Sequence, residues 1–221
     1  KIKKNPSIFI ANEFFDAIPI KQFLYKNNAL LEKCYLINSE SQISELYQKA
    51  TKHDYKKIKT FDVLKNLKFI EFPKLGLLEI DKMIKKINKL SGGILLIDYG
   101  YINKIYKSSL QTVMKNKKVD IKHLFKVLGK ADVTSLVNFS LLKEYFLKNN
   151  LKVKEIVTQK FFLEKMGIIE RAKILEKNMD IQQKIYMTDT LRRLLDKKLM
   201  GELFKVIFAF KCRNGNFLGF K

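Results

Sequence analysis

The stretch from residue 80 to residue 100 constrains this fold more than any other. Ile80, Met83, Ile84, Ile87 and Leu90 fall on one helical stripe, with Lys82, Lys85, Lys86 and Lys89 off it. Ser91-Gly92-Gly93 ends the helix, glycine being suited to the left-handed cap. Ile94-Leu95-Leu96-Ile97 then reads as a strand apolar on both faces, as in parallel sheets, and it stops in Asp98-Tyr99-Gly100. Helix, glycine turn, buried strand and terminal acid make one αβ unit of a doubly wound sheet.

A second strand end of the same kind lies at the start of the chain. Ser7 to Ala11 reads as a short buried strand that runs into Asn12-Glu13-Phe14-Phe15-Asp16 and then Pro19. Asn12 would cap one helical turn that Pro19 stops. In open α/β sheets ligands sit beyond the carboxyl ends of the strands, where two carboxylates and an amide would meet a cationic ligand. Strands joined by a crossover can be neighbours, so the Asp98 tip would face the same crevice, with Gly100 allowing a sharp turn. On the residues alone a plainer reading stands beside this one. It is a capped turn with acids in water, with Phe14 and Phe15 as core anchors.

Elsewhere, Gln22–Tyr25 and Leu30–Ile37 flank Lys26-Asn27-Asn28 as a hairpin, since asparagine tolerates the positive φ of tight turns. The pattern predicts a helix over Ser39–Lys52 and a strand over Leu67–Phe72. Leu110–Lys130 reads as an irregular excursion, and Gly129–Thr134 as a helix start capped by Asp132 or Thr134. A helix is predicted over Phe139–Lys148 and a strand over Leu151–Val157. Phe161–Lys198 reads as largely helical, split at Gly167 and at Asn178-Met179-Asp180, and Leu203–Phe210 as a final strand.

Composition narrows the partners. With 47% hydrophobic and 12% aromatic residues, the 221-residue chain can bury a core. The formal charge of +22 invites a nucleic-acid reading, yet only four of the 44 basic residues are arginine: Arg171, Arg192, Arg193 and Arg213. Arginine is the bidentate reader of phosphate and base edges. Lysine spread over every polar face, beside abundant Ile, Asn and Phe, fits the coding bias of an AT-rich genome, and nucleic acid is disfavoured. Cys34, Cys212, His53 and His123 have no metal-site spacing, and the two cysteines point to a reducing compartment. No apolar run approaches the ~20 residues that span a bilayer. There is no glycine-rich nucleotide loop and no GxSxG nucleophile elbow. The chain opens on Lys1 directly before a buried-type strand, which reads as a piece whose amino-terminal part is absent.

The words Ile10-Ala11-Asn12-Glu13-Phe14-Phe15-Asp16-Ala17-Ile18-Pro19 with Gln22-Phe23 resemble those of a known family. So, in the same order, do Glu71 near Pro73, Gly92-Gly93 through Ile97-Asp98-Tyr99-Gly100, Leu110-Gln111, Val119-Asp120 and Gly129 with Ala131-Asp132. Towards the carboxyl end follow Thr158-Gln159, Phe162-Leu163, Gly167-Ile168, Arg171-Ala172 and Met200-Gly201 with Leu203-Phe204-Lys205. Together they resemble the MidA-like family of class I S-adenosyl-L-methionine (SAM)-dependent methyltransferases, which includes mitochondrial complex I assembly enzymes. The departures are Lys107-Ser108 for the usual Gly-Asp, and Leu136 and Asn138 for the usual His and Asp. The family's SAM loop would precede Lys1.

The resemblance implies a Rossmann-like sheet, mostly parallel with an antiparallel C-terminal strand, here without its N-terminal SAM-loop half. Residues 1–221 would be the C-terminal portion of one domain, with a hairpin/helix insertion at 21–66, an excursion over the sheet at 101–138 and a helical insertion at 160–200. It implies SAM as cofactor and a protein arginine, possibly on a complex I subunit, as substrate, with no activity for the chain without its SAM loop. The expected catalytic residues are Glu13, clamping the guanidinium, and Asp16. Asn12 and Ala11 would lie beside the cofactor, and Phe14, Asp98, Tyr99, Gly100 and Gln111 would line the substrate cleft. No metal is expected, and the setting would be a bacterial cytoplasm or, alternatively, a mitochondrial matrix. A non-catalytic assembly factor with the same fold is the runner-up, and an RNA methyltransferase the third reading.

Overall fold

The computed structural model describes residues 5–39, 42–114, 117–119, 129–212 and 217–220. In chain order the elements are β1 (Ser7–Asn12), β2 (Lys21–Lys26), β3 (Ala29–Ile37), β4 (Ile43–Lys49), α1 (Lys52–Lys59), β5 (Phe69–Phe72), α2 (Lys74–Leu90) and β6 (Gly92–Tyr101). Next come β7 (Gln111–Met114), β8 (Lys117–Val119), β9 (Asp132–Thr134), β10 (Val137–Asn138), α3 (Phe139–Lys148), β11 (Lys152–Val153) and β12 (Val157–Thr158). The chain closes with α4 (Gln159–Lys165), α5 (Ile168–Glu176), α6 (Ile181–Leu195), α7 (Met200–Leu203) and β13 (Phe204–Lys211). They form two compact units, one drawn from Lys1–Asn12, Met83–Gly100 and Phe146–Lys221, the other from Glu13–Lys82 and Tyr101–Tyr145.

In the first unit β6 is the central strand. It pairs parallel with β1 from Ser7↔Gly92 to Asn12↔Ile97. On its other side β13 runs antiparallel, from Phe204↔Tyr99 to Lys211↔Gly92. The antiparallel final strand is as expected, and Phe204, Val206, Ile207 and Ala209 in it are fully buried. Among the described residues of this unit the parallel character appears in the β1–β6 pair, while β13 is antiparallel to β6, β11 and β12. Leu151–Val157 is not one strand but the short β11 and β12, both antiparallel to β13. The predicted helix before β6 is α2, but its left-handed cap is Ser91 (φ 65°) rather than a glycine. Gly92 instead begins the strand at φ 122°, where an added Cβ would sit 2.0 Å from the Ser7 carbonyl oxygen. The helical region divides where the sequence indicated. Gly167 is left-handed, and Asp180 caps α6 in a reciprocal box with Gln183.

In the second unit four antiparallel strands pair in the order β4-β3-β2-β5. The β2–β3 hairpin turns on Asn27 and Asn28 at φ 48° and 59°, the left-handed pair that a two-residue turn requires. The helix expected over Ser39–Lys52 is absent. β4 occupies most of that stretch, paired with β3 from Leu31↔Lys49 to Ile37↔Ile43, and α1 begins only after Thr51 caps it. The stretch read as irregular holds β7 and β8, which with β9 beyond it form a small antiparallel sheet in the order β8-β7-β9. Asp132 and Thr134, expected at a helix start, lie in β9; Asp120 and His123 lie outside the described residues. A buried core is built from Phe23, Phe61, Phe72, Ile80, Phe139 and Leu142. Asp54, itself fully buried, fastens α1 to this unit by accepting from Lys21 Nζ (2.9 Å) and Lys74 Nζ (2.7 Å).

Candidate functional site

Parallel pairing places two polar strand ends side by side in the first unit. Asn12 lies opposite Ile97, so Asp98 is one residue past it on the neighbouring strand, and Ala11 lies opposite Leu96. Asn12 is exposed, whereas Asp98 is fully buried, and its carboxylate accepts the Tyr99 amide at 2.8 Å. Across the sheet Asp98 lies opposite Lys205, whose pKa burial lowers, partly offset by Glu202. The Tyr99 ring packs against Phe204 with centroids 3.9 Å apart. The strand does not stop at Asp98. β6 runs on to Tyr101, so Gly100 is a buried strand residue and not the expected turn. Ala11, Asn12, Asp98, Tyr99 and Gly100 are thus brought to one end of one sheet.

Glu13, Phe14, Asp16 and Gln111 belong to the second unit. The helical turn expected after Asn12 does not form. Glu13 leaves the strand in the left-handed region at φ 48°, exposed, and the chain closes a turn through Ile18 N–H to Phe15 C=O at 3.2 Å. Glu13 here is a non-glycine residue at positive φ, a strain that needs surrounding support. Phe15 provides it, being 2% exposed and so close to Gly76 that a Cβ there would meet its ring at 2.6 Å. Phe14 stays partly exposed, edge-on to Phe15. Asp16 is buried, and that burial raises its pKa above the usual carboxylate value against backbone hydrogen bonds at Ala17 and at its own amide, with Asp132 adding to the rise. The Asp16 carbonyl accepts the Ser135 amide at 2.9 Å, and Gln111 pairs in register with Thr134. The segment 134–135 therefore links two of the residues singled out in the sequence.

That segment is held by a buried acid to which the sequence reading gave no role. Glu71, 4% exposed, accepts from Gln22 Nε2 (2.8 Å), from the Ser109 amide (2.9 Å) and from Ser109 Oγ (2.5 Å). Ser109 Oγ in turn accepts the Leu136 amide at 2.9 Å. Gln22 Nε2 also donates to Ser108 Oγ at 2.6 Å. A buried carboxylate with three donors is a strong organising group, since its desolvation is costly unless every lone pair is used. Burial and the Glu71 charge together push the Tyr101 phenol far above its ordinary range. Glu71 and Gln22 were each visible as separate words; only the fold joins them to each other and to Ser109, because Glu71 lies 49 residues from Gln22 and 38 from Ser109 along the chain. Among the described residues no three His, Cys, Asp or Glu side chains are grouped to hold a metal ion. Nor is any helix among them long and apolar enough to cross a membrane.

A family model described as "Putative S-adenosyl-L-methionine-dependent methyltransferase" matches residues 1–157. The mitochondrial protein arginine methyltransferase NDUFAF7 of Danio rerio is 25% identical over 199 residues, which cover 90% of this chain and 46% of that protein. The Caenorhabditis elegans homologue is 24% identical over 208 residues, 92% of this chain and 47% of the relative. The chain thus spans about half the length of these curated relatives. A solved COG1565 superfamily protein from Burkholderia thailandensis superposes with a TM-score of 0.79 at 18% identity, covering 99% of this chain and 59% of that one. Another member from that organism, bound to S-adenosyl-homocysteine, gives 0.78 at 18% identity, covering 99% and 57%. At that identity the likeness establishes the fold.

Proposed function

The chain belongs to the family so described, the MidA-like methyltransferases that its sequence resembles, and from that membership we propose that its gene product methylates a protein arginine. The observation that carries the reading is the β1–β6 pairing, which sets Asn12, at the carboxyl end of β1, beside the last residues of β6 from Asp98 onward. The exposed Asn12 amide fits the hydroxyl-bearing parts of SAM, and we assign Asn12 and Ala11 to holding it. When bound, that cofactor supplies a methyl group on a positively charged sulfur. Glu13 clamps the substrate guanidinium, whose planar donor fork matches a carboxylate. In-line displacement needs chiefly proximity and alignment, so the clamp's work is positional. The attacking nitrogen gives its electron pair to the methyl carbon, the carbon–sulfur bond breaks with its pair left on sulfur, and one proton must leave the guanidinium. Asp16 is assigned that proton, because burial makes its carboxylate a stronger base than an exposed one. Tyr99 and Gly100 of the first unit are assigned to substrate binding, as are Phe14 and Gln111 of the second, and Asp98 is assigned to fixing the Tyr99 backbone.

Arginine specificity rests on the relatives' names, and a respiratory complex I subunit is the substrate we put first. The test is transfer of a radiolabelled methyl group from SAM by the full gene product, with a lysate of its own source as acceptor. The expected result is label on protein arginine, falling by about 100-fold or more in kcat/KM for Glu13→Gln while SAM affinity holds. Label on RNA, or unchanged turnover in that variant, would overturn the assignment. Absence of both label and SAM binding would instead favour a binding protein on a methyltransferase fold.

A further inference from the structure

The second unit carries a cavity that the methyltransferase reading does not use. It has a volume of about 630 Å³ and lies where the end of β2, the Asn27-Asn28 turn, α1 and residues 64–70 meet. Its floor is apolar: Ile58, Leu64, Leu67 and Ile70 are all buried. Its rim is cationic, carrying Lys26, Lys59, Lys65 and Lys68, each exposed, and no carboxylate lines it among the described residues. Lys65 bridges to Asp62 outside the lining. Lys59 stands 4.5 Å from the Tyr55 ring centroid, and the Tyr55 hydroxyl is hydrogen-bonded to that of Tyr25, which also lines the cavity. Lys59, hydrogen-bonded to the Tyr55 phenol, draws it below its ordinary pKa, with Tyr25 adding to the shift.

We propose that this cavity is a binding site for a small amphipathic organic anion, with its apolar body on the Ile58–Leu64–Leu67–Ile70 floor and its anionic head among the rim lysines. The volume falls in the roughly 300–1,000 Å³ range of small-molecule sites, too compact for a folded partner. An apolar floor alone would take a neutral ligand, and scattered surface lysines alone would take none. The juxtaposition of the two selects an anion with a hydrophobic body, because head and body are then stabilised together. Carboxylate and phosphate monoester heads share this chemistry, and an acyl carboxylate and a nucleoside monophosphate are its two sources.

The experiment uses 8-anilinonaphthalene-1-sulfonate as a fluorescent probe on the whole protein, with decanoate, AMP and inorganic phosphate as competitors. The expected result is saturable 1:1 binding that weakens roughly tenfold in Lys59→Gln/Lys68→Gln, whose substitutions are exposed and leave the fold intact. An equal charge change on α5 and its end, Lys173→Gln/Lys177→Gln, is expected to leave the affinity unchanged, which separates a local site from the general field of a +22 chain. Displacement by decanoate assigns an acyl carboxylate, and displacement by AMP but not phosphate assigns a nucleotide. Equal probe affinity in the first variant, an equal loss in the second, or displacement by phosphate alone would overturn the proposal.

Discussion

Asp54 shows how much one side chain can hold. Its carboxylate is buried, and burial by itself would raise the pKa. Hydrogen bonds from Lys74, Lys21 and Thr51 outweigh that and hold it well below the usual carboxylate range. A folded-state pKa depressed in this way contributes stability that is fully present above the unfolded value, about 3.9, and is lost as pH falls through the folded one. Asp54→Asn is therefore expected to destabilise the protein by about 2 kcal/mol at pH 7. That is less than the roughly 3–5 kcal/mol of a broken fully buried pair, because the lysine heads are partly exposed and can turn to water. The difference from the native protein should shrink between about pH 4 and pH 2, as urea unfolding at each pH would show. A constant difference down to pH 2 would mean that Asp54 acts through packing and not through charge. Nothing along the sequence marks this residue, because Lys21 and Lys74 stand 33 and 20 positions away.

The elements that were legible are those whose signal is local. The α2 stripe, the Asn-Asn hairpin, the helix break at Asn178-Met179-Asp180 and the apolar run of β13 each declare themselves within about ten residues. β4 did not. Ile43, Leu46, Tyr47 and Ala50 repeat at helical spacing, yet Leu46 and Tyr47 are exposed, so burial does not decide that stretch. What decides it is the nine-residue β3, whose amides and carbonyls need a second neighbour beside β2; a helix over 39–52 would leave that edge unpaired. β7 and β9 are too short for any periodicity to show. Gly92 makes the element-scale prediction. An alanine there must adopt φ 122° with its Cβ driven into the Ser7 carbonyl, where the β1–β6 ladder begins. Gly92→Ala should cost at least about 3 kcal/mol and loosen β1 amides in hydrogen exchange. Gly129→Ala is the control: its φ is also positive, but nothing lies within 4 Å of the added carbon, so about 1 kcal/mol is expected. Equal costs at the two sites would show that backbone conformation, not the close approach of β1, sets the effect.

At the scale of the whole molecule the dominant quantity is the charge of +22, carried by 44 basic against 22 acidic residues. Among the described residues, ion pairs such as Lys65–Asp62, Lys82–Glu79 and Lys197–Glu202 are exposed at their lysine ends, so they offset little of it. Like charges spread over a folded surface repel, and folding brings them closer than the unfolded chain does. Salt screens that repulsion. Raising NaCl from about 0.05 to about 0.5 M shortens the screening length from roughly 14 to roughly 4 Å, below most lysine–lysine spacings but still spanning the contact distances of an ion pair. The thermal midpoint is therefore expected to rise by about 5 °C over that range, with sodium chloride chosen because sulfate would also strengthen apolar burial. The Lys21–Asp54–Lys74 cluster opposes the trend only weakly, since Asp54 itself is buried and its two contacts, 2.9 and 2.7 Å, are shorter than the screening length. A midpoint that stays flat or falls with salt would mean that local pairing, not net repulsion, governs the electrostatic balance. The lysine surplus would then be energetically neutral, as an origin in coding bias alone allows.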